Sequence, residues 1–316
     1  MPVLSIIIVS WNARAYLLKC LQSLQRELSD LHAEIIVVDN ASTDGSPEAV
    51  ALEFPEVKLV RNPTNLGFAG ANNAGIRQSR GCYVCLINSD VEILPGCFEL
   101  LLDHMGKNSS IGMLGPKILN ADMTLQPSCR AFPNLWDSFF RALGLDTLFP
   151  RSPLFGRRFM SCWSHDGIRR VDVLSGCFWM VRREAIEEVG LLDENFFMYA
   201  EDKDWCKRFH LAGWDVVYFP EARAIHYGGA SSANAPLRFY LELQKANLQY
   251  WRKHHSRPAR ALFLLLTILH EVFRILRGTI WCIVKPASAP QMKLKIKRSL
   301  ACLRWLTSRH MISAGV

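Results

Sequence analysis

Five short apolar runs in the first 115 residues constrain the fold more than any other feature of this chain. They are "VLSIIIVS" (3–10), "EIIVVD" (34–39), "VKLV" (57–60), "YVCLIN" (83–88) and "IGMLG" (111–115). Strands that are apolar on both faces need cover on both sides. The intervening sequence supplies it: Tyr16, Leu17, Cys20, Leu21 and Leu24 share one helical face, and "SPEAVALEF" and "AGANNAGIRQS" read as two further helices. Strand and helix in alternation predict an α/β chain with a Rossmann-like, mostly parallel sheet flanked by helices.

Beyond residue 115 the pattern weakens. Pro116, Pro127, Pro133, Pro150 and Pro153 interrupt aromatic stretches, predicting a mobile, partly helical loop region over 116–170 that lies over the site. "VDVLSGCFWMVRREAIEEVG" restores a strand pair or strand-helix unit. "DENFFMYAEDKDWCKRFHLAG" turns helical and stops at Gly213, and "WDVVYFP" (214–220) is another strand. Three segments are expected: residues 1–115, residues 116–235, and a helical tail over 236–316.

Charge sets the tail apart. Residues 243–316 hold fourteen Lys or Arg against one acid, Glu271, so the chain's net +8 hides a net −5 in the first 242 residues. Within the tail, 261–285 is strongly apolar, but His270, Glu271, Arg274 and Arg277 interrupt the ~20 apolar residues that a spanning helix requires. An interfacial helix on an anionic membrane surface fits that pattern, and a helix packed on the domain or on another subunit is the alternative. The positive charge is confined to this apolar tail and no nucleic-acid motif accompanies it, so no nucleic acid is expected as partner.

Several classes of chemistry are excluded. Ten cysteines in 316 residues are too dilute for a disulfide scaffold, and Cys82 and Cys85 have no second pair to complete a zinc site, so reduced core thiols are expected. The opening residues lack a basic leader and a long apolar core, which predicts a cytoplasmic protein. The glycines of "NLGFAGANNAG" are spaced three and then five, unlike a dinucleotide fingerprint, and no G-x-S-x-G elbow occurs.

In parallel sheets, ligands bind beyond the carboxyl ends of the strands. Asn12, in the "SWN" after the first run, Asp39 and Asp90 all stand at such ends, which makes them candidates for the site. Asp39 suits a nucleobase or ribose, or a plain turn. Gly67, Gly70 and Gly75 allow close backbone approach, and a helix starting near Ala69 offers amides to an anion. Asp90 in "NSD" suits a hard cation bridging phosphates, with Asn88 assisting by hydrogen bonding. "YAEDKDWCKR" offers Glu201, Asp202 and Asp204 as bases, and helical spacing alone does not choose among them. His226 is a candidate imidazole ligand just past the last strand.

In order along the chain, "SIIIVSWNARAYLLKCLQSL", "IIVVDNASTDGS", "NLGFAGANNAGI", "LINSDVEI", "SGCFWMVRREAIEEVGLLDENFFMYAEDKDWCKR" and "AIHYGGAS" resemble the family 2 glycosyltransferases of GT-A fold. The likeness is strongest to the rhamnosyltransferase branch of bacterial surface polysaccharide synthesis. That resemblance implies that Asp39 contacts the base and Asn65 lines the nucleotide pocket. It makes "NSD" a DxD motif with Asn88 in its first position, Asp90 and His226 holding Mg2+ or Mn2+, and Asp202 the base of an inverting transfer. The implied donor is a nucleotide-sugar, with dTDP-rhamnose ahead of a UDP-hexose or UDP-galactofuranose. The implied acceptor is a glycan or polyprenyl-linked glycan, reached from the inner face of the cell membrane. A non-catalytic nucleotide-sugar or glycan binder would not need Asp90, Asp202 and His226 together.

Overall fold

The computed structural model describes residues 2–29, 31–228, 235–284 and 289–308, and the chain divides into two compact units. Residues 1–131 and 164–234 form the first, and residues 132–163 and 235–316 the second. Residues 229–231 of the "AIHYGGAS" segment lie outside the described residues.

The first unit begins with β1 (Leu4–Ser10), α1 (Arg14–Glu27), β2 (Ala33–Asp39), α2 (Ser46–Glu53), β3 (Lys58–Arg61), α3 (Gly67–Gln78) and β4 (Tyr83–Asn88). It continues through β5 (Val91–Ile93), α4 (Cys97–Lys107), β6 (Ile111–Leu119) and β7 (Cys129–Arg130). After the chain visits the second unit through α5 (Leu135–Leu143) and α6 (Leu145–Leu148), the first unit resumes. There follow β8 (Arg169–Arg170), β9 (Val173–Leu174), β10 (Phe178–Arg182), α7 (Arg183–Val189), α8 (Glu201–Leu211) and β11 (Asp215–His226).

Among the described residues one sheet runs in the order β3-β2-β1-β4-β10-β6-β11-β5, with β8 added beside β11. Strands β3, β2, β1 and β4 are mutually parallel, as their apolar faces predict, and β10 enters antiparallel between β4 and β6. Of the expected α1 face, Leu17, Cys20, Leu21 and Leu24 are each at most 1% exposed, whereas Tyr16 is 39% exposed and sets its ring against Tyr227, with centroids 5.5 Å apart. Burial of each such leucine contributes about 1.5–3 kcal/mol.

β6 runs past the expected end at Gly115, through Pro116 to Leu119, and β11 and β5 also differ from the sequence expectation. β11 does not stop at Pro220 but continues to His226, because a register shift between Phe219 and Arg223 takes the proline out of the ladder. The extension pairs antiparallel with β5, a three-residue strand too short to show periodicity, in the register His226↔Val91.

In the second unit, α5, α6, α9 (Pro236–His254), α10 (Arg257–Val284) and α11 (Ala289–Leu306) pack together. Residues 132–163 are therefore ordered by the tail helices. Asn134 and Asp137 close a capping box that starts α5, and His270 Nδ1 on α10 lies 3.1 Å from the Arg141 carbonyl near the end of α5. Trp251 of α9 stacks on Phe263 of α10 with ring centroids 4.5 Å apart. No helix among the described residues is long and apolar enough to cross a membrane. The ten cysteines are free thiols, with Cys85 buried and Cys82 exposed.

Candidate active site

The register of the parallel strands brings the candidate residues to one edge. Ser10 pairs with Asp39 and Val9 with Asn88, so the carboxyl ends of β2, β1 and β4 are level. Asp39 and Asn88, two strands apart, are thus separated by about 10 Å of sheet.

Asp39 is 4% exposed, and its two oxygens differ. Oδ2 accepts from the Ser42 amide at 3.2 Å, while Oδ1 is buried with no hydrogen-bond partner among the described residues. A bare buried carboxylate oxygen is costly, so one at a strand end marks a place where a ligand N–H or O–H belongs.

The neighbouring polar residues build the walls. Asn12, held at φ +50°, accepts from the Thr43 amide at 2.7 Å through Oδ1, and its own amide donates to Ser42 Oγ at 3.0 Å. Its side chain therefore ties the β1 turn to the loop after Asp39. Asn65 Oδ1 accepts from Asn40 Nδ2 and from the Gly67 amide, both at 2.9 Å, so that oxygen is committed to holding the loop. Asn40, which no sequence pattern singles out, is the hub: its Oδ1 accepts from Asn62 Nδ2 and the Leu66 amide.

The glycine expectation changes. Helix α3 starts at Gly67, before Ala69, and Gly67 at φ +74° admits the backbone of Phe197. A Cβ at Gly67 would lie 2.1 Å from the Phe197 carbonyl oxygen, which accepts from the Phe68 amide at 2.7 Å. Gly75 likewise gives room to Ile7, where a Cβ would lie 2.4 Å from its Cγ2. Internal packing therefore accounts for both of these glycines.

Asp90 and His226 meet because β5 pairs with the extended end of β11, and the Tyr227 amide donates to the Asp90 carbonyl at 2.9 Å. His226 Nε2 lies 3.2 Å from Asp90 Oδ1, with Asn88 Nδ2 3.4 Å away. Gln126 sets the imidazole. Its Nε2 donates to Asn120 Oδ1 at 2.8 Å and to the His226 carbonyl at 2.9 Å, so its Oε1, 2.6 Å from His226 Nδ1, must accept. Nδ1 therefore carries the ring proton and Nε2 turns its lone pair toward a carboxylate. Two acceptors then face each other across a gap that a second proton or a divalent cation closes. No group of three or more metal-ligating side chains occurs among the described residues. One carboxylate and one imidazole fit a hard cation that takes its remaining ligands from water and substrate phosphates.

Asp202 stands in the first turn of α8. Two consecutive left-handed residues, Tyr199 (φ +70°) and Ala200 (φ +65°), lead into it. Each is unfavourable for a residue with a side chain, and such strain concentrates where it aims functional groups. Asp202 is half-buried, and its Oδ1 accepts from the Lys203 amide at 2.8 Å. Its neighbour Glu201 is 7% exposed, and Oε2 has no partner. Burial, reinforced by the Asp202 charge, pushes the Glu201 carboxyl up to about 8.

Arg130 on β7 is a functional candidate that the sequence did not flag. Burial pulls its guanidinium down, and the Asp202 charge opposes that shift. Gln126 and Arg130 both come from the proline-interrupted stretch that shows no periodicity.

A bare carboxylate, a carboxylate–imidazole pair and a strained helix start bearing a carboxylate thus share one unit. The sequence model of glycosyl transferase family 2 matches residues 5–190. The chain belongs to that family. A relative of this glycosyltransferase in Mycobacterium tuberculosis, an N-acetylglucosaminyl-diphospho-decaprenol L-rhamnosyltransferase, is 31% identical over 80% of this chain and 85% of the relative. The dTDP-rhamnosyl transferase RfbF of Shigella flexneri is 26% identical over 95% of both chains. Among solved structures, the mannosyltransferase PcManGT of Pyrobaculum calidifontis, in complex with GDP-Man and Mn2+, superposes with a TM-score of 0.58 at 15% identity. That match covers 97% of this chain and 88% of the other. The likeness establishes the GT-A fold for this glycosyltransferase.

Proposed function

We propose that this glycosyltransferase moves rhamnose, with inversion, from dTDP-rhamnose to a hydroxyl of a lipid-linked glycan at the cytoplasmic face of the cell membrane. The observation that carries the reading is the single sheet edge on which the free Oδ1 of Asp39 and the Asp90–His226 pair stand. The relatives support the sugar and the lipid: one is described as a dTDP-rhamnosyl transferase, and another acts on a diphospho-decaprenol glycan.

In this reading Asp39 Oδ1 accepts a hydrogen bond from the nucleotide base, with the loop held by Asn12, Asn40 and Asn65 as the pocket wall. Asp90 and His226 are the residues that would hold Mg2+ or Mn2+, and such an ion would supply positive charge against the departing diphosphate. Asp202 takes the proton as the acceptor oxygen attacks the anomeric carbon. The bond from that carbon to the diphosphate oxygen breaks, the nucleoside diphosphate leaves with the bonding pair, and one displacement inverts the centre. Glu201 stands beside Asp202 with its carboxyl pushed up by burial, and the Arg130 guanidinium feels the Asp202 charge.

The tail supports the membrane placement. α10 is 28 residues and about 42 Å long. Leu262, Leu265, Leu269, Phe273, Leu276 and Ile280 recur along it at helical spacing, all exposed, beside the basic residues of α11.

The test is release of nucleoside diphosphate from dTDP-rhamnose, UDP-glucose, UDP-galactose and UDP-galactofuranose, with Mg2+ or Mn2+ and then with chelator, using membrane lipid extract as acceptor. Chelator-sensitive turnover of dTDP-rhamnose, reduced about 10²–10⁴-fold in Asp202→Asn with donor binding retained, is the expected result. Turnover of a UDP-sugar instead would overturn the donor, and full activity in Asp202→Asn would overturn the base.

A further inference from the structure

The helical unit contains a cavity that the transfer chemistry does not use. It measures about 750 Å³ and is lined by Arg141, Arg274, Arg277 and Lys295, with Asp146 as the one acid. His270 also lines it; burial together with the Arg141 charge holds that imidazole down, and its one N–H, on Nδ1, is given to the Arg141 carbonyl at 3.1 Å.

The four cations are not equally engaged. Arg274 is fixed: its Nη1 donates to Tyr240 Oη at 2.7 Å, and Tyr240 in turn donates to the buried Glu271. Arg141, Arg277 and Lys295 have no carboxylate partner among the described residues, and the ion pairs Arg157–Asp137 and Lys245–Glu242 of the same unit lie elsewhere. Arg277 is placed by Gly144, whose left-handed turn (φ +77°) ends α5. A Cβ there would lie 2.0 Å from Arg277 Nη1, so the bare glycine is what lets the guanidinium lie across the turn.

Cations held this close repel one another unless an anion joins them. Three unneutralised charges beside one acid match a group carrying two or more negative charges better than a single phosphodiester. Arginine forks recognise phosphate oxygens in pairs.

The helix also indicates what carries that group. On α10 the cavity residues His270, Arg274, Arg277 and Trp281 each follow an exposed apolar residue, Leu269, Phe273, Leu276 and Ile280 respectively. One residue is about 100° of rotation, so an apolar stripe runs alongside the cationic cavity for three turns. A polar head in the cavity and an acyl or isoprenoid chain on the stripe satisfy both faces at once.

We infer that the cavity bounded by Arg141, Arg277 and Lys295 is a binding site for the diphosphate headgroup of a lipid. The inference rests on the membrane reading of the tail and adds a chemical specificity to it: the unit selects one headgroup rather than anionic surfaces in general.

The experiment is flotation of the full chain with phosphatidylcholine vesicles containing undecaprenyl diphosphate, against vesicles given the same surface charge with phosphatidylglycerol. Wild type, Arg277→Gln with Lys295→Gln, and Lys293→Gln, which removes a charge outside the cavity, are compared after thermal melts establish that all are folded. Inorganic pyrophosphate is the soluble competitor.

The expected result is a preference of about tenfold or more for the diphosphate vesicles, lost in the cavity variant, kept in Lys293→Gln and competed by pyrophosphate. Equal binding to both charged vesicles, or equal losses in the two variants, would overturn the site while leaving the membrane reading standing. Pyrophosphate binding that depends on Arg277, without any vesicle preference, would assign the cavity to a soluble diphosphate and overturn the lipid. Failure to float with any vesicle would overturn the membrane reading itself.

Discussion

Replacing Gln126 with leucine tests the reading of the Asp90–His226 pair most directly. The wild-type amide accepts the Nδ1 proton of His226 at 2.6 Å and anchors itself through Asn120 and the His226 carbonyl. Without it, His226 is free to carry its proton on Nε2, where it would donate to Asp90 Oδ1 and occupy the lone pair that a cation needs. Groups that orient a ligand in this way typically change metal affinity by about 10–100-fold, or about 1.4–2.7 kcal/mol. The lost hydrogen bonds lower stability by about 1–3 kcal/mol in addition. The assay is turnover against Mn2+ concentration from a chelated start, with a thermal melt on the same samples. Gln126→Leu is expected to shift the half-saturating metal concentration upward by that factor and to recover most of its rate at saturating metal. An unchanged metal requirement, with or without a lower rate, would refute the tautomer argument.

Asp39→Ala removes the unpartnered Oδ1 from the donor edge. A charge-assisted hydrogen bond contributes about 1.5–3 kcal/mol, so the donor KM is expected to rise about tenfold to a hundredfold with kcat little changed. Steady-state kinetics at fixed acceptor measure it, and an unchanged KM would remove Asp39 from the pocket. Glu201, with its folded pKa raised to about 8, binds a proton that the unfolded chain has already released. Its contribution to stability is therefore fully present below the ordinary value of 4.5, is lost as pH rises toward 8, and is level beyond. Glu201→Gln is expected to remove that downward slope in urea midpoints taken from pH 5 to pH 8, and an identical slope in both proteins would argue against a neutral buried Glu201.

How much of this was legible in the sequence follows from what each residue does locally. β1, β2 and β4 advertise themselves because their side chains are buried on both faces, and Asp39 and Asp90 because a carboxylate ends an apolar run. β5 and the last six residues of β11 gave no such signal: one is too short, and the other is interrupted by Pro220 and paired only across a register shift. Yet those two segments alone bring His226 to Asp90. Gln126 and Arg130 were invisible for a related reason. They act through neighbours remote in sequence, 100 residues away for Gln126 and His226, and lie in a stretch with neither helical nor strand period. Gly67 was read as a place of close backbone approach, and the backbone that approaches is that of Phe197, since sequence marks where a backbone must be bare without saying what comes near it.

That contact between Gly67 and Phe197 has a practical consequence. It joins the start of α3, beside the donor loop, to the strained turn that aims Asp202, with no side chain between to act as a cushion. The two halves of the catalytic edge are therefore not interchangeable modules. An effort to retune the sugar by transplanting the 62–70 loop from another enzyme would have to carry residues 196–200 with it, because the graft and the base-bearing turn share one seam.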